Sequence, residues 1–143
     1  MTILKFIKLA TIFVLFPIIS FAQQDSSLVD LPQSQREKIL TEIAKETFKK
    51  QMPEIYRDYG IPTFRKIEIT RIPRPYEESS YGEKKGDIFY IVTFPRDSIH
   101  EKELFSEYAA RIWIWADIRK AFAIDYGHLD GVGEVIYKRE KRD

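Results

Sequence analysis

Apolar positions recur at helical spacing between residues 33 and 60, then alternate in two runs, 64–72 and 110–126. In PQSQREKILTEIAKETFKKQMPEIYRDYG, residues 32–60, the residues Ile39, Leu40, Ile43, Ala44, Phe48, Met52, Ile55, Tyr56 and Tyr59 are spaced by threes and fours. That spacing puts them on one stripe of a helix, facing a core. Lys38, Glu42, Lys45, Glu46, Lys49 and Lys50 fall on the opposite, solvated side. Ser34 and Glu37 have the spacing of a capping box, which predicts the helix start. Pro53 breaks or kinks the helix, or opens a second short one as its first residue. Gly60 and Pro62 end it.

Beyond Pro62 the period becomes two. FRKIEITRI, 64–72, alternates and is rich in β-branched residues, which predicts a strand. PRPYEESSYGEKKG, 73–86, has no apolar period and reads as a long connection. DIFYIVTF, 87–94, is apolar on both parities, as in a central strand, and Pro95 stops it. In 96–107, Ser98 and Glu101 repeat the capping-box spacing, so a helical turn is one reading. ARIWIWADIRKAFAIDYG, 110–127, reads as a strand, a turn near Asp117 to Lys120, and a returning strand. HLDGVG follows as a loop, EVIYK (134–138) as a candidate edge strand, and KREKRD (138–143) as a charged tail that frays.

The pattern predicts an α+β fold. One long N-terminal amphipathic helix would pack on an antiparallel sheet of four strands, with EVIYK as a candidate fifth. A single domain would span 33–137, after a polar lead-in at 23–32. From residue 33 to 127 this element order resembles the cystatin-like and NTF2-like small α+β domains. The resemblance is one of outline. Cystatin inhibitors use a Gln-x-Val-x-Gly loop and a Pro-Trp hairpin, and neither occurs here, so protease inhibition does not transfer. NTF2-like enzymes place acid and base residues in a cone-shaped pocket, and no such set is identifiable here.

The tryptophans carry the main question. Alternation puts Arg111, Trp113, Trp115 and Asp117 on one strand face, and Ile112, Ile114 and Ala116 on the other. Two registers are open, because a one-residue slip flips the pairing. If Ala116 pairs with Ala121, Trp115 meets Phe122 and Trp113 meets Ile124. If Trp115 pairs with Ala121, the isoleucines join Phe122, Ile124 and Tyr126 in the core. The tryptophans then stand on the outer face beside Arg111 and Asp125. Packed tryptophans are the usual outcome in a small domain. Exposed ones would make Arg111, Trp113, Trp115 and Tyr126 a candidate binding set, since Trp, Tyr and Arg anchor interfaces.

The start of the chain adds an address. MTILKFIKLATIFVLFPIISFA, 1–22, has Lys5 and Lys8, an apolar run, and a small-x-small ending at Ser20-Phe21-Ala22. These features predict a secretory signal peptide cleaved near Ala22/Gln23. No charge occurs between Lys8 and Asp25, but Pro17 interrupts the run. The stretch is also shorter than the roughly 20 apolar residues of a spanning helix. The expected location is periplasmic or secreted, with no stable membrane span after cleavage.

Charge and composition then exclude several chemistries. The chain has 23 basic and 22 acidic residues, and loss of Lys5 and Lys8 leaves 21 against 22, a net charge of −1. Nucleic acid needs a concentrated basic face, which this balance does not provide. With no cysteine, thiolate metal sites, disulfides and a cysteine nucleophile are excluded. His100 and His128 lie in separate loops without the spacing of a metal site, and DGVGE lacks the spaced oxygen ligands of a calcium loop. Gly127, Gly131 and Gly133 precede a strand rather than a helix, so they are turn residues and not a phosphate cradle. No serine sits in a Gly-x-Ser-x-Gly elbow, and Glu77-Glu78 lies in a polar loop. No cofactor is expected. The functional expectation is a non-enzymatic binding module for a protein or small ligand of the envelope, in its specific form an immunity-type or inhibitor protein. The alternative is a carrier or enzyme with a pocket between helix and sheet, lined by Tyr56, Tyr59, Tyr90 and Tyr126.

Overall fold

The structure, a computed structural model, describes residues 26–71, 80–102, 106–127 and 133–140. Among these the chain is α+β, with one α-helix on a five-stranded antiparallel sheet. The sheet is a meander of order β1-β2-β3-β4-β5. Its strands are Thr63–Glu68, Ile88–Pro95, Tyr108–Trp115, Lys120–Tyr126 and Gly133–Val135. The short fifth strand pairs Ala123 with Val135 and Asp125 with Gly133. The proposed signal segment, 1–22, lies outside the described residues, as does the first half of the 73–86 connection, residues 73–79. No helix among the described residues is long and apolar enough to cross a membrane.

The helix, α1, runs Gln33–Gln51 and is not the first described element. A 3₁₀ turn at Leu28–Asp30 precedes it, capped by the Ser27 hydroxyl, which accepts from the Val29 N–H. The lead-in is therefore not merely polar spacer. Leu28 is fully buried, and its N–H donates to the Ala116 carbonyl at 2.8 Å. Arg119 ties the same segment down by donating to the Ser26 carbonyl and hydroxyl.

The expected capping box does not form. Pro32 is the N-cap residue, and Glu37 instead accepts from the Gln33 side-chain amide at 2.9 Å. Proline presets the dihedral at a helix start, so Ser34 falls inside the first turn, where its hydroxyl cannot cap. At the other end α1 stops before Pro53, which lacks the N–H that another turn would need. Lys49 and Lys50 in the last turn face the negative end of the helix dipole.

Leu40, Ala44 and Phe48, four residues apart, are the fully buried stripe of α1. They pack on Tyr90, Val92, Phe94, Ala110, Ile112, Ile114, Ile124 and Tyr126 of the sheet. Phe48 is the hub. It stacks on Tyr59 at 5.6 Å, meets Tyr56 edge-on at 5.3 Å, and lies 6.0 Å from both Phe94 and Tyr126.

The register between β3 and β4 combines the two sequence alternatives. From the open end, Ala110 pairs with Tyr126, Arg111 with Asp125, Ile112 with Ile124 and Trp113 with Ala123. The register then shifts, and Ile114 pairs with Ala121 and Trp115 with Lys120. Phe122 is the extra residue of a β-bulge. The isoleucines join the helix-side core, as the second register requires, while Phe122 turns to the other face and meets Trp115, as the first requires. The turn between the strands contains no glycine, and Arg119 takes the left-handed conformation with φ 52°.

Between β2 and β3 the expected cap moves by one residue. Asp97, not Ser98, caps the turn at 98–100, its Oδ1 accepting from the N–H groups of Ile99 and His100. Glu101 closes the motif by accepting from the Asp97 N–H at 2.8 Å.

Candidate functional site

Helix α1 covers one face of the sheet, and the opposite face carries the tryptophans. Cross-strand pairing sets its rows. Thr93, Arg111 and Asp125 form one, Ile91, Trp113 and Ala123 the next, and Phe89 with Trp115 the third. The face grades from a polar pair, through half-buried Trp113, to a closed aromatic cluster.

At the polar end Asp125 is 2% exposed, with its charge neutralised in place. Its Oδ2 accepts from Arg111 Nε at 3.1 Å, from Arg111 Nη2, and from the Tyr108 hydroxyl at 2.8 Å. Its Oδ1 is buried without a hydrogen-bond partner. The Arg111 guanidinium lies 4.2 Å from the Tyr108 ring centroid and 5.6 Å from that of Trp113. Burial, then the bond to Asp125, pushes the Tyr108 phenol above its ordinary range. A buried carboxylate that accepts two guanidinium bonds, with rings on either side, removes most of the freedom of the arginine. The Arg111 side chain is still 38% exposed, so it presents N–H donors to solvent beside the Trp113 ring. Such a surface can accept a carbonyl, carboxylate or hydroxyl oxygen alongside an apolar group.

Trp115 is fully buried. Phe122 stacks on it at 4.1 Å, Phe89 meets it edge-on at 5.8 Å, and the Arg139 guanidinium lies 4.2 Å from its ring centroid. Ala123 is buried with them, and Ile69, Tyr81, Tyr137 and Trp113 pack against the cluster. Tyr126, the fourth candidate, is buried on the helix side, where burial and then the charge of Glu134 push its phenol up to about 12. The four candidates therefore do not form one surface. Arg111 and Trp113 remain accessible, while Trp115 and Tyr126 are buried on opposite faces of the sheet.

The tyrosines proposed to line a pocket converge in part. Tyr56, Tyr59 and Tyr126 surround Phe48, and Tyr90 lies elsewhere in the same core, with Arg36 5.6 Å from its ring centroid. Phe48 fills the space between these rings, so at this level the interior is packed by the protein itself.

One cluster escaped sequence reasoning. His100 Nδ1 lies 2.6 Å from Asp97 Oδ2, and Arg57 approaches the same oxygen at 3.8 Å. The bond to His100 holds the Asp97 carboxyl below its usual range. Next to them Glu101 is 5% exposed and accepts from the Tyr59 hydroxyl at 3.1 Å. Burial, then the Glu101 charge, raises Tyr59 well above the ordinary phenol range. The Asp-x-x-His spacing within one turn was the available signal. An imidazole held at Nδ1 directs Nε2 outward, the orientation of a general base, but general-base chemistry also needs a substrate proton within reach. His128 lies outside the described residues, and among the described residues no three acidic or histidine groups gather to hold a metal ion.

Comparison with known proteins supplies no relative: no family model matches the chain, and neither the curated proteins nor the solved structures include a match.

Proposed function

We propose that the chain is an exported, non-enzymatic binding module that engages a protein partner through the sheet face opposite α1, at Trp113 and Arg111. The observation that carries this reading is the fixed Arg111 beside a half-buried Trp113, on the sheet face opposite α1, which no helix covers among the described residues. Interfaces concentrate their energy in such residues, because a preorganised arginine and a rigid indole lose little entropy on binding. The signal-like first 22 residues support export, and an exported chain would meet its partner in the periplasm or the medium. An immunity-type or inhibitor protein acting on an envelope hydrolase is the specific form of this proposal. The alternative, a carrier or enzyme with a pocket between helix and sheet, has less support, because Phe48 occupies that interior.

The test is affinity capture from an envelope extract of the source cells with residues 23–143. Trp113→Ala and Arg111→Ala would run beside a control, Glu42→Ala, on the exposed side of α1. The proposal expects a partner that wild type and the control retain and the two face variants lose. A captured set that is the same for all folded variants, or empty for wild type, would remove this face as the binding site.

A further inference from the structure

The segment after β5 runs over the tryptophan face of the sheet and brings a buried arginine, Arg139, against it. The N–H groups of Ile136 and Tyr137 donate to the Phe122 carbonyl, and that of Arg139 donates to the Tyr81 carbonyl at 3.0 Å. Arg139 is 5% exposed. Its guanidinium lies over the Trp115 ring, 4.2 Å from the centroid, is ion-paired with Asp117, and stands 3.6 Å from Asp87. An aromatic platform walled by two carboxylates is how a protein recognises a guanidinium: the ring takes the planar cation and the acids take its edges.

The resident arginine fills this site poorly. Arg139 Nε and Nη1 are buried without a hydrogen-bond acceptor, and so is Trp115 Nε1 beside them. Leaving buried donors unmade is costly, so acceptors are in short supply at this spot. A segment that brings an arginine together with its own backbone carbonyls would satisfy what Arg139 leaves open. The tail holds the site through proximity, since a tethered ligand competes at high effective concentration.

We propose that Trp115, Asp117 and Asp87 form an arginine-binding site that the chain's own Arg139 occupies, and that the site accepts an arginine on an extended basic segment of a protein partner when the tail opens. The two acids supply the charge complementarity that selects such a segment. This inference is independent of the Trp113 surface. In the closed state a partner binds only in proportion to the open fraction, so Arg139 acts as a built-in competitor.

The experiment uses two proteins in a Trp113→Phe background, so that Trp115 alone reports by fluorescence. One ends at Lys138; the other is full length with Arg139→Ala. Each is titrated with a peptide of residues 136–143, with the same peptide carrying Arg139→Ala, and with N-acetyl-arginine amide or N-acetyl-lysine amide. Saturable binding of the arginine peptide, at least tenfold tighter than its alanine version, is expected in both proteins. Arginine amide should bind in preference to lysine amide, and the chain with Arg139 intact should bind neither peptide. If the shortened chain does not fold, the full-length Arg139→Ala protein decides. Equal binding of arginine and lysine probes, equal binding by the intact chain, or no binding by folded variants overturns the proposal. So does failure of both variants to fold, which would make Arg139 a part of the core rather than an exchangeable ligand.

Discussion

Trp115 and Phe122 stack with ring centroids 4.1 Å apart and planes 17° from parallel, although Trp115 pairs in register with Lys120. The bulge makes this contact possible. An extra residue in β4 lets Ala121 and Ala123 keep their pairing with β3 while Phe122 turns to the tryptophan face. The second aromatic cluster is built on that one displaced side chain, which also meets Phe89 and Tyr81 edge-on.

Phe122→Ala therefore removes the centre of that cluster without disturbing the helix-side core. Truncating a buried phenylalanine costs about 3–5 kcal/mol. Urea unfolding followed by far-UV circular dichroism should show a lower midpoint with an unchanged slope. A loss below about 1 kcal/mol would mean that the stack is not a stability element.

Arg111 and Asp125 behave as one unit. Removing the arginine leaves a carboxylate that is 2% exposed without its counter-charge. Breaking a buried pair costs about 3–5 kcal/mol, and partial exposure of Arg111 puts Arg111→Ala at about 3 kcal/mol. The Arg111→Ala/Asp125→Ala protein should lose less than the two single losses combined. Additive losses across the four proteins of the cycle would show that the pair is not coupled.

Leu28 makes the lead-in a structural element. Leu28→Ala opens a cavity under the 116–119 turn and should cost about 2–5 kcal/mol, as for other buried leucines. A chain starting at Gln33 should lose at least as much in thermal unfolding as Leu28→Ala does. Equal melting of chains starting at Gln23 and at Gln33 would show that the turn contributes nothing.

The period of the apolar residues made the helix and the strands legible, because burial against a single face imposes spacing directly on the sequence. The stripe Leu40, Ala44, Phe48 and the alternation through Ile112 and Ile114 are of this kind. Features created by pairing between distant residues left no local trace. Lys120 to Tyr126 alternates without a glycine or proline to mark the bulge at Phe122. Arg139 read as part of a fraying tail, because a charged run implies solvent unless its distant partners are known. Trp115, Asp117 and Asp87 become its neighbours only once the sheet has formed. The face candidates were half legible for the same reason: alternation put Arg111, Trp113 and Trp115 together, and distant partners, Phe122 and Arg139, then buried Trp115 while Trp113 stayed half-buried.

The Tyr126 hydroxyl is buried without a hydrogen-bond partner, and its pKa is raised to about 12. A raised phenol pKa means that folding favours the neutral form. The stability this brings is complete below the unfolded value near 10 and is lost as pH rises through about 12. Tyr126→Phe keeps the ring and removes the unpaired hydroxyl, so it should be at least as stable as wild type at pH 7. Its stability should also fall less steeply between pH 10 and 12. Identical pH profiles for the two proteins would show that Tyr126 does not titrate with unfolding.

Gly82 lies directly against the tail at Arg139. It has φ 73°, and a Cβ at this position would run into the carbonyl and the Cβ of Arg139. Gly82→Ala thus combines left-handed strain with a clash against backbone, and strain of this kind costs about 1–3 kcal/mol. The chain can relieve the clash by lifting the tail, which is held here by one backbone bond to Tyr81. In a Trp113→Phe background, Trp115 emission should shift to the red and acrylamide quenching should increase, while unfolding of the helix-side core keeps its slope in urea. If Gly82→Ala lowers stability but leaves Trp115 as protected as in the parent, the tail is fixed to the sheet and the loop at Gly82 yields instead.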